Sequence, residues 1–467
     1  MTSNEAKKNN NEDVDATVAS DTLVAWCLTT GCDAPTMQHF IRGYASQLQA
    51  VGLPVDRIFF AAVVLHSLTA TRVWKLMDGT LTETAWSRTE WRDFQQNLAT
   101  LAESEMNQRM GRAPLYLLMK GAPFVQILVD DEDRPADCDW MVEEGFTELY
   151  ALPAGTQYNH NYYNDSQKSW QLQQPQHHDQ LQSGFTWATR QPGGFTPVQL
   201  QVLNQSRMAL VASMRLHVAR MNAQSLLQTY LGEDAGERVY RGEIERGEGL
   251  TVRAAIWFSD VRGFTALSGK LSRPEIVDVL NGVFEVTQRV IRKHQGQVLK
   301  FMGDGCMAIF SSETVGFRRT SFTDLQKGDL DAEQGPVVCR RARLAATDLE
   351  VELCKLRQER EAKGLHAAAV GVGLHYGDVV YGNVGATDRL DFTVLGPSVN
   401  LASRTESLCS KLGAKVLATG DFVKLEGHSH AWKERGEHQV KGVEKPVAVF
   451  ELVKWCDEGQ EESQPFG

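Results

Sequence analysis

The chain has no run of eighteen or more apolar residues, so nothing in it reads as a membrane span. It has no basic excess either. Its 48 Lys and Arg stand against 59 Asp and Glu, a formal net charge of −11 that argues against a nucleic-acid-binding surface. The eight cysteines include no C-x-x-C pair and no His-rich partner motif, which speaks against zinc and for the reduced thiols of a cytoplasmic protein. Residues 1–21 are rich in Asn, Asp, Glu and Lys without an apolar signal core and read as a disordered tail; 454–467 reads as a second tail.

What the chain does have is length. Its 467 residues exceed one compact core and predict two domains with a connector. Residues 22–195 mix both periodicities. Asp21 could cap a helix over Leu23–Leu28, and Met37, Phe40, Ile41, Tyr44 and Leu48 have helical spacing. Strand-like runs follow at Arg57–Leu65, Thr71–Leu76 and Leu81–Ala85, with Asp78-Gly79 as a hairpin turn between the last two. Further runs lie at Phe124–Val129, Glu148–Leu152 and Phe185–Arg190, and together these predict a mixed α+β sensor-type domain. The Gln/Asn/His-rich stretch 158–183 reads as a low-complexity surface loop, and His160, His177 and His178 as solvated rather than metal-binding.

The connector, 196–236, opens with Thr196-Pro197 and a capping-box Gln199. Leu200, Leu203, Leu210, Met214 and Met221 then recur at three- and four-residue steps, interrupted by Arg207 and His217. Two readings stay open: a dimer seam, or a helix packed on its own sensor domain. The segment Tyr230–Gly236 is expected to break that helix.

Chemistry concentrates further on. Asp260 ends the apolar run Ala254–Phe258, and Asp304 ends Val298–Met302. Carboxylates at strand ends beside Gly-rich turns suit one or two hard divalent cations held against a triphosphate. Asn400 and Arg404, four apart on a predicted helix after Pro397, share one face. The polar stretch Glu313–Gln334 reads as an insertion.

Phe258-Ser-Asp-Val-Arg-Gly-Phe-Thr265, Lys300-Phe-Met-Gly-Asp304-Gly and Asp391-Phe-Thr-Val-Leu-Gly396 through Arg404, in this order, resemble the class III adenylate/guanylate cyclase catalytic domain over residues 250–453. The resemblance implies a ferredoxin-like α+β fold. It implies metal binding by Asp260, Asp304 and the backbone of Val261, with two Mg²⁺ or Mn²⁺ ions. Lys300 and Thr393 match the purine-reading positions, Asn400 the ribose-orienting Asn, Arg404 the transition-state Arg, and Lys441 a phosphate-contacting lysine. Many relatives carry Asp where Thr393 stands; Lys with Thr is similar to a subgroup of adenylate cyclases. The resemblance further implies ATP as substrate, cyclic AMP as product and a homodimer with shared sites. A guanylate cyclase and an inactive, dimerising cyclase-like module are the alternatives. Residues 22–195 resemble GAF-like sensor domains, which implies a small-molecule or protein regulator there.

Overall fold

A computed structural model describes residues 15–66, 69–90, 92–93, 114, 118, 124–131, 134, 138–153, 184–247, 249–311 and 329–453. The chain divides into two compact units, residues 1–226 and 227–467.

In the first unit, helix α1 (Ala16–Trp26) continues into a π-helical turn (Cys27–Gly31) and is followed by α2 (Met37–Ala50). The expected tail therefore ends earlier than residue 21. The side chain of Asp15, not Asp21, accepts from the Thr17 and Val18 N–H groups, and Ala19 and Leu23 bury against the core. Thr36 caps α2, and the five residues of helical spacing named above are the ones it buries.

Six antiparallel strands follow: β1 (Arg57–Val63), β2 (Thr69–Met77), β3 (Thr80–Ser87), β4 (Val125–Leu128), β5 (Glu148–Pro153) and β6 (Gly184–Thr189). They are ordered β3-β2-β1-β6-β5-β4. Asp78 and Gly79 both take positive φ, 49° and 74°, as the two-residue β2–β3 hairpin requires. The helix α3 (Trp140–Glu143) contributes Met141 to a small core on one face of the sheet. The other face carries Phe60, Trp74, Phe185 and Trp187 and packs on α1, α2 and the first part of α4 (Pro197–Leu231).

The Thr196–Gln199 capping box is present, each backbone N–H donating to the other side chain. Val202, Leu203, Leu210, Met214 and Val218 are buried in this unit's own core, which decides between the two connector readings for that part of the helix. His217 is also inside, 2.8 Å from the Gly31 carbonyl and against the Phe40 ring. The expected break at Tyr230–Gly236 comes at Gly232 (φ 91°), after which α5 (Glu233–Tyr240) starts a new helix.

The second unit is built on an eight-stranded sheet. It comprises β7 (Gly249–Val261), β8 (Gln297–Met302), β9 (Gly305–Phe310), β10 (Val370–Gly385), β11 (Leu390–Leu395), β12 (Val416–Thr419), β13 (Trp432–His438) and β14 (Val447–Leu452). The order is β13-β14-β12-β10-β7-β9-β8, with β11 paired to β10. Both faces are covered. Odd positions of β7 (Ala255, Trp257, Val261) enter the core shared with α7 (Arg273–Lys293) and α8 (Asp329–Ala362). Even positions (Ala254, Ile256) enter a core with Ala235 of α5 and Ala402 of α9 (Pro397–Leu412). The short helices α6 (Phe264–Ser268) and α10 (Gly420–Glu426) complete the unit. Of the expected insertion, residues 329–334 are the first turns of α8, while 312–328, like 154–183 and 454–467, lie outside the described residues.

Candidate active site

Asp260 is the last but one residue of β7, paired with Gly305 on β9 and Gly371 on β10. Asp304 occupies the turn between β8 and β9, after Gly303 in the left-handed region (φ 65°). The Val261 N–H donates to the Asp304 carbonyl at 3.3 Å, which ties that turn to the end of β7. Gly305 leaves space beside the carboxylate: a Cβ there would meet Asp260 Oδ1 at 3.4 Å. The Asp260 carboxyl is pushed up to about 6, by burial first and then by the charge of Asp304. Two carboxylates repelling one another in this way fit an external cation, and hard oxygen donors suit Mg²⁺ or Mn²⁺. Among the described residues there is no group of three or more His, Cys, Asp or Glu side chains placed to hold a metal. Any cation here would therefore draw further oxygens from backbone, water or a bound phosphate.

Behind this pair stand two residues that the motif reading passed over. Arg262 donates to Ser410 Oγ at 2.6 Å and to the Ala414 carbonyl at 3.1 Å, and it lies 3.9 Å from Glu406. Gly371 makes room for it, since a Cβ there would fall 1.9 Å from the guanidinium. The Glu406 carboxyl is pushed up to about 7, chiefly by burial; Arg262 opposes the shift, and Asp260 and Asp304 add to it. Arg262 stands inside the Asp260 motif, and its partners lie about 150 residues away, so only the folded chain could pair them.

The residues expected to read the base lie on β8 and β11. Lys300 on β8 donates to Asp391 on β11 at 2.8 Å, and Thr393, two residues further along β11, is largely buried opposite Gly382. Gly396, at φ 145°, turns the chain into α9 with Pro397 at its first position.

Asn400 and Arg404 are exposed on α9, while Ala402, Thr405 and Cys409 are buried; Glu406, about 200° round the helix from Arg404, faces Arg262 and the Asp260–Asp304 pair. Asn400 and Arg404 thus sit on the face of α9 turned away from this chain's own carboxylates. Lys441 is exposed in the turn after β13, at the sheet edge opposite β8. Within one chain the structure brings together Asp260, Val261 and Asp304, and separately Lys300 and Asp391, two residues before Thr393 on β11. It does not bring Arg404 or Lys441 to the carboxylates.

Residues 250–454 match the adenylate and guanylate cyclase catalytic domain. An adenylate cyclase of Anabaena cylindrica is 31% identical over 216 residues, which are 45% of this chain and 38% of that protein. Adenylate cyclase 1 of Rhizobium meliloti is 28% identical over 196 residues, 42% of this chain and 27% of that protein. The chain thus spans well under half the length of these two relatives. Among solved structures, the adenylyl cyclase CyaB from P. aeruginosa is 27% identical, with 44% of this chain and 96% of that chain covered and a TM-score of 0.37.

Proposed function

We propose that this chain is an adenylate cyclase that converts ATP to 3′,5′-cyclic AMP and pyrophosphate at sites shared between two copies. The observation that carries the reading is the division just described. Asp260 and Asp304 are set at one end of β7, and Asn400 and Arg404 are exposed on the far face of α9. A second copy related by a two-fold axis could present that face to the carboxylates, giving two equivalent sites. Exposed Phe301, Met302, Val380 and Leu395 on β8, β10 and β11 supply apolar surface for such a contact.

In this reading Asp260, Asp304 and the Val261 carbonyl hold two divalent cations, which would lower the pKa of the ribose 3′-hydroxyl and neutralise phosphate charge. Lys300 and Thr393 hold the purine edge. Asn400 orients the ribose so that its 3′-oxygen lies in line with the α-phosphorus. As that oxygen bonds to phosphorus, the bond to the bridging β-phosphate oxygen breaks and pyrophosphate leaves. Arg404 donates to the charge growing on the α-phosphate oxygens, where a preorganised donor counts most, and Lys441 steadies the leaving phosphates. Residues 22–195 act as a GAF-like sensor domain for a small molecule or protein, with 196–236 as the connector.

The test is a product assay on the full chain with ATP and GTP supplied separately, Mg²⁺ or Mn²⁺ present, and cyclic products identified by mass. Cyclic AMP is the expected product. Cyclic GMP in its place would overturn the base assignment, and no product with either nucleotide and either metal would favour the inactive module.

A further inference from the structure

Lys300 already has a partner. Its Nζ lies 2.8 Å from Asp391 Oδ2, an ion pair between β8 and β11 that spans 91 residues of sequence. Asp391 and Thr393 are two apart on β11, so their side chains leave the strand on one face. Phe392 between them points the other way and packs edge-on against Tyr381, centroids 4.8 Å apart. The register is fixed on the neighbouring strand, Asp391 opposite Val384 and Thr393 opposite Gly382. A carboxylate paired with Lys300 therefore stands on the same face of β11 as Thr393, two residues earlier.

We infer that Asp391 is a base-selectivity residue that positions the Lys300 ammonium for adenine. It accepts one of the three ammonium N–H groups and fixes the direction of the other two. Adenine N1 is an acceptor that such an ammonium can reach, whereas guanine N1 carries a hydrogen and meets it donor to donor. The pair is open to solvent, with the Asp391 side chain 65% exposed, so it contributes little to folding and its loss should leave the chain intact.

The inference rests on the cyclase reading, and the experiment keeps the two apart. Full-length wild type, Asp391→Asn, Asp391→Glu and Lys300→Ala, with the Lys300→Ala/Asp391→Asn double variant, are compared in kcat/KM for ATP and GTP. Binding of 3′-deoxy-ATP and 3′-deoxy-GTP, which lack the attacking hydroxyl, is measured in parallel. Asp391→Asn is expected to lower kcat/KM for ATP about tenfold, mainly through KM, to weaken 3′-deoxy-ATP equally, and to narrow the ATP-over-GTP preference at unchanged Tm. Asp391→Glu should recover part of this, and the double variant should be no worse than Lys300→Ala alone, as befits a residue acting through Lys300.

An unchanged ATP-to-GTP ratio in both turnover and binding overturns the inference. So does a selective loss of GTP use or 3′-deoxy-GTP binding, which would make Asp391 a guanine acceptor. A wild type that forms no cyclic product, yet whose 3′-deoxy-ATP binding weakens in Asp391→Asn, overturns the cyclase reading alone. A wild type that binds neither analogue overturns both.

Discussion

In the N-terminal sheet the buried carboxylate of Glu148 accepts from the Phe195 N–H at 2.6 Å and from the Gln126 amide at 2.7 Å. At the end of β7, by contrast, Asp260 faces Asp304, with Glu406 behind them and Arg262 as the opposing charge. The difference is not one of general care in packing. The second unit also contains Arg343 and Glu426, both essentially sealed from solvent and joined at 2.8 Å, with the Trp432 indole N–H donating to the same carboxylate. Where a core needs a charge, this chain supplies its partner. Three carboxylates gathered about one guanidinium therefore point to a place where a further positive charge from outside the chain belongs.

The largest expected effect follows from the divided site. Asp260→Ala and Arg404→Ala should each reduce cyclic AMP formation at least ~1,000-fold. Equal mixtures, unfolded and refolded or co-expressed, should recover about a quarter of wild-type activity. Half the dimers are then mixed, and each mixed dimer has one intact site. Recovery near zero would overturn the shared site and leave the carboxylates to act within one chain.

Next in size is the satisfied pair. Arg343→Met takes the guanidinium from buried Glu426, leaving it the Trp432 indole and His428, and should cost the second unit about 3 kcal/mol in denaturant unfolding, while Arg343→Met with Glu426→Leu should recover part of it. A single variant of wild-type stability would show that this core tolerates unpaired charge, and the contrast with Asp260 would lose its meaning.

These sites were unevenly legible. Local chemistry was readable: the Asp78-Gly79 turn, the Thr196–Gln199 cap and the buried stripe of α2 each depend on residues within a turn or two of one another. Lys300 with Asp391, and Arg262 with Ser410, are pairings across the sheet that no local pattern announces. Polar composition also misled. The start of α8 (Asp-Leu-Asp-Ala-Glu-Gln) reads as part of an insertion, and Asp15 hides its cap in what looks like a tail. The edge strand β13 is written almost wholly in charge (Lys-Glu-Arg-Gly-Glu-His), which protects an edge but erases the strand alternation.

A smaller effect tests the like-charge pair directly. The Asp260 carboxyl is raised to about 6 from an ordinary value of 3.8, so the folded chain holds that proton more tightly than the unfolded one. The associated stability is full below about 3.8 and is lost as pH rises through about 6. In chelator at pH 8, Asp260→Asn should melt a few degrees (~3 °C) above wild type, the gap closing between about pH 6 and 4. Millimolar Mg²⁺ should raise the wild-type Tm and close the gap at pH 8 as well. An Asn variant less stable than wild type in chelator would mean that the carboxylates are already compensated inside the chain.

The N-terminal unit should respond to acid in the opposite sense. His217 is held neutral, its pKa lowered mainly by burial, with the Gly31 carbonyl bond opposing and Arg220 assisting. A depressed histidine stabilises the fold above its ordinary 6.5 and withdraws that support as pH falls below it. Hydrogen-exchange protection across the Cys27–Gly31 turn, which His217 braces from α4, should therefore decline about two- to threefold between pH 7 and 5.5 after correction for intrinsic exchange. His217→Gln keeps an amide donor for the Gly31 carbonyl and should flatten that decline. If protection in the Gln variant falls just as steeply, the acid sensitivity of this unit lies elsewhere, and its buried polar groups are less completely answered than those around Glu148.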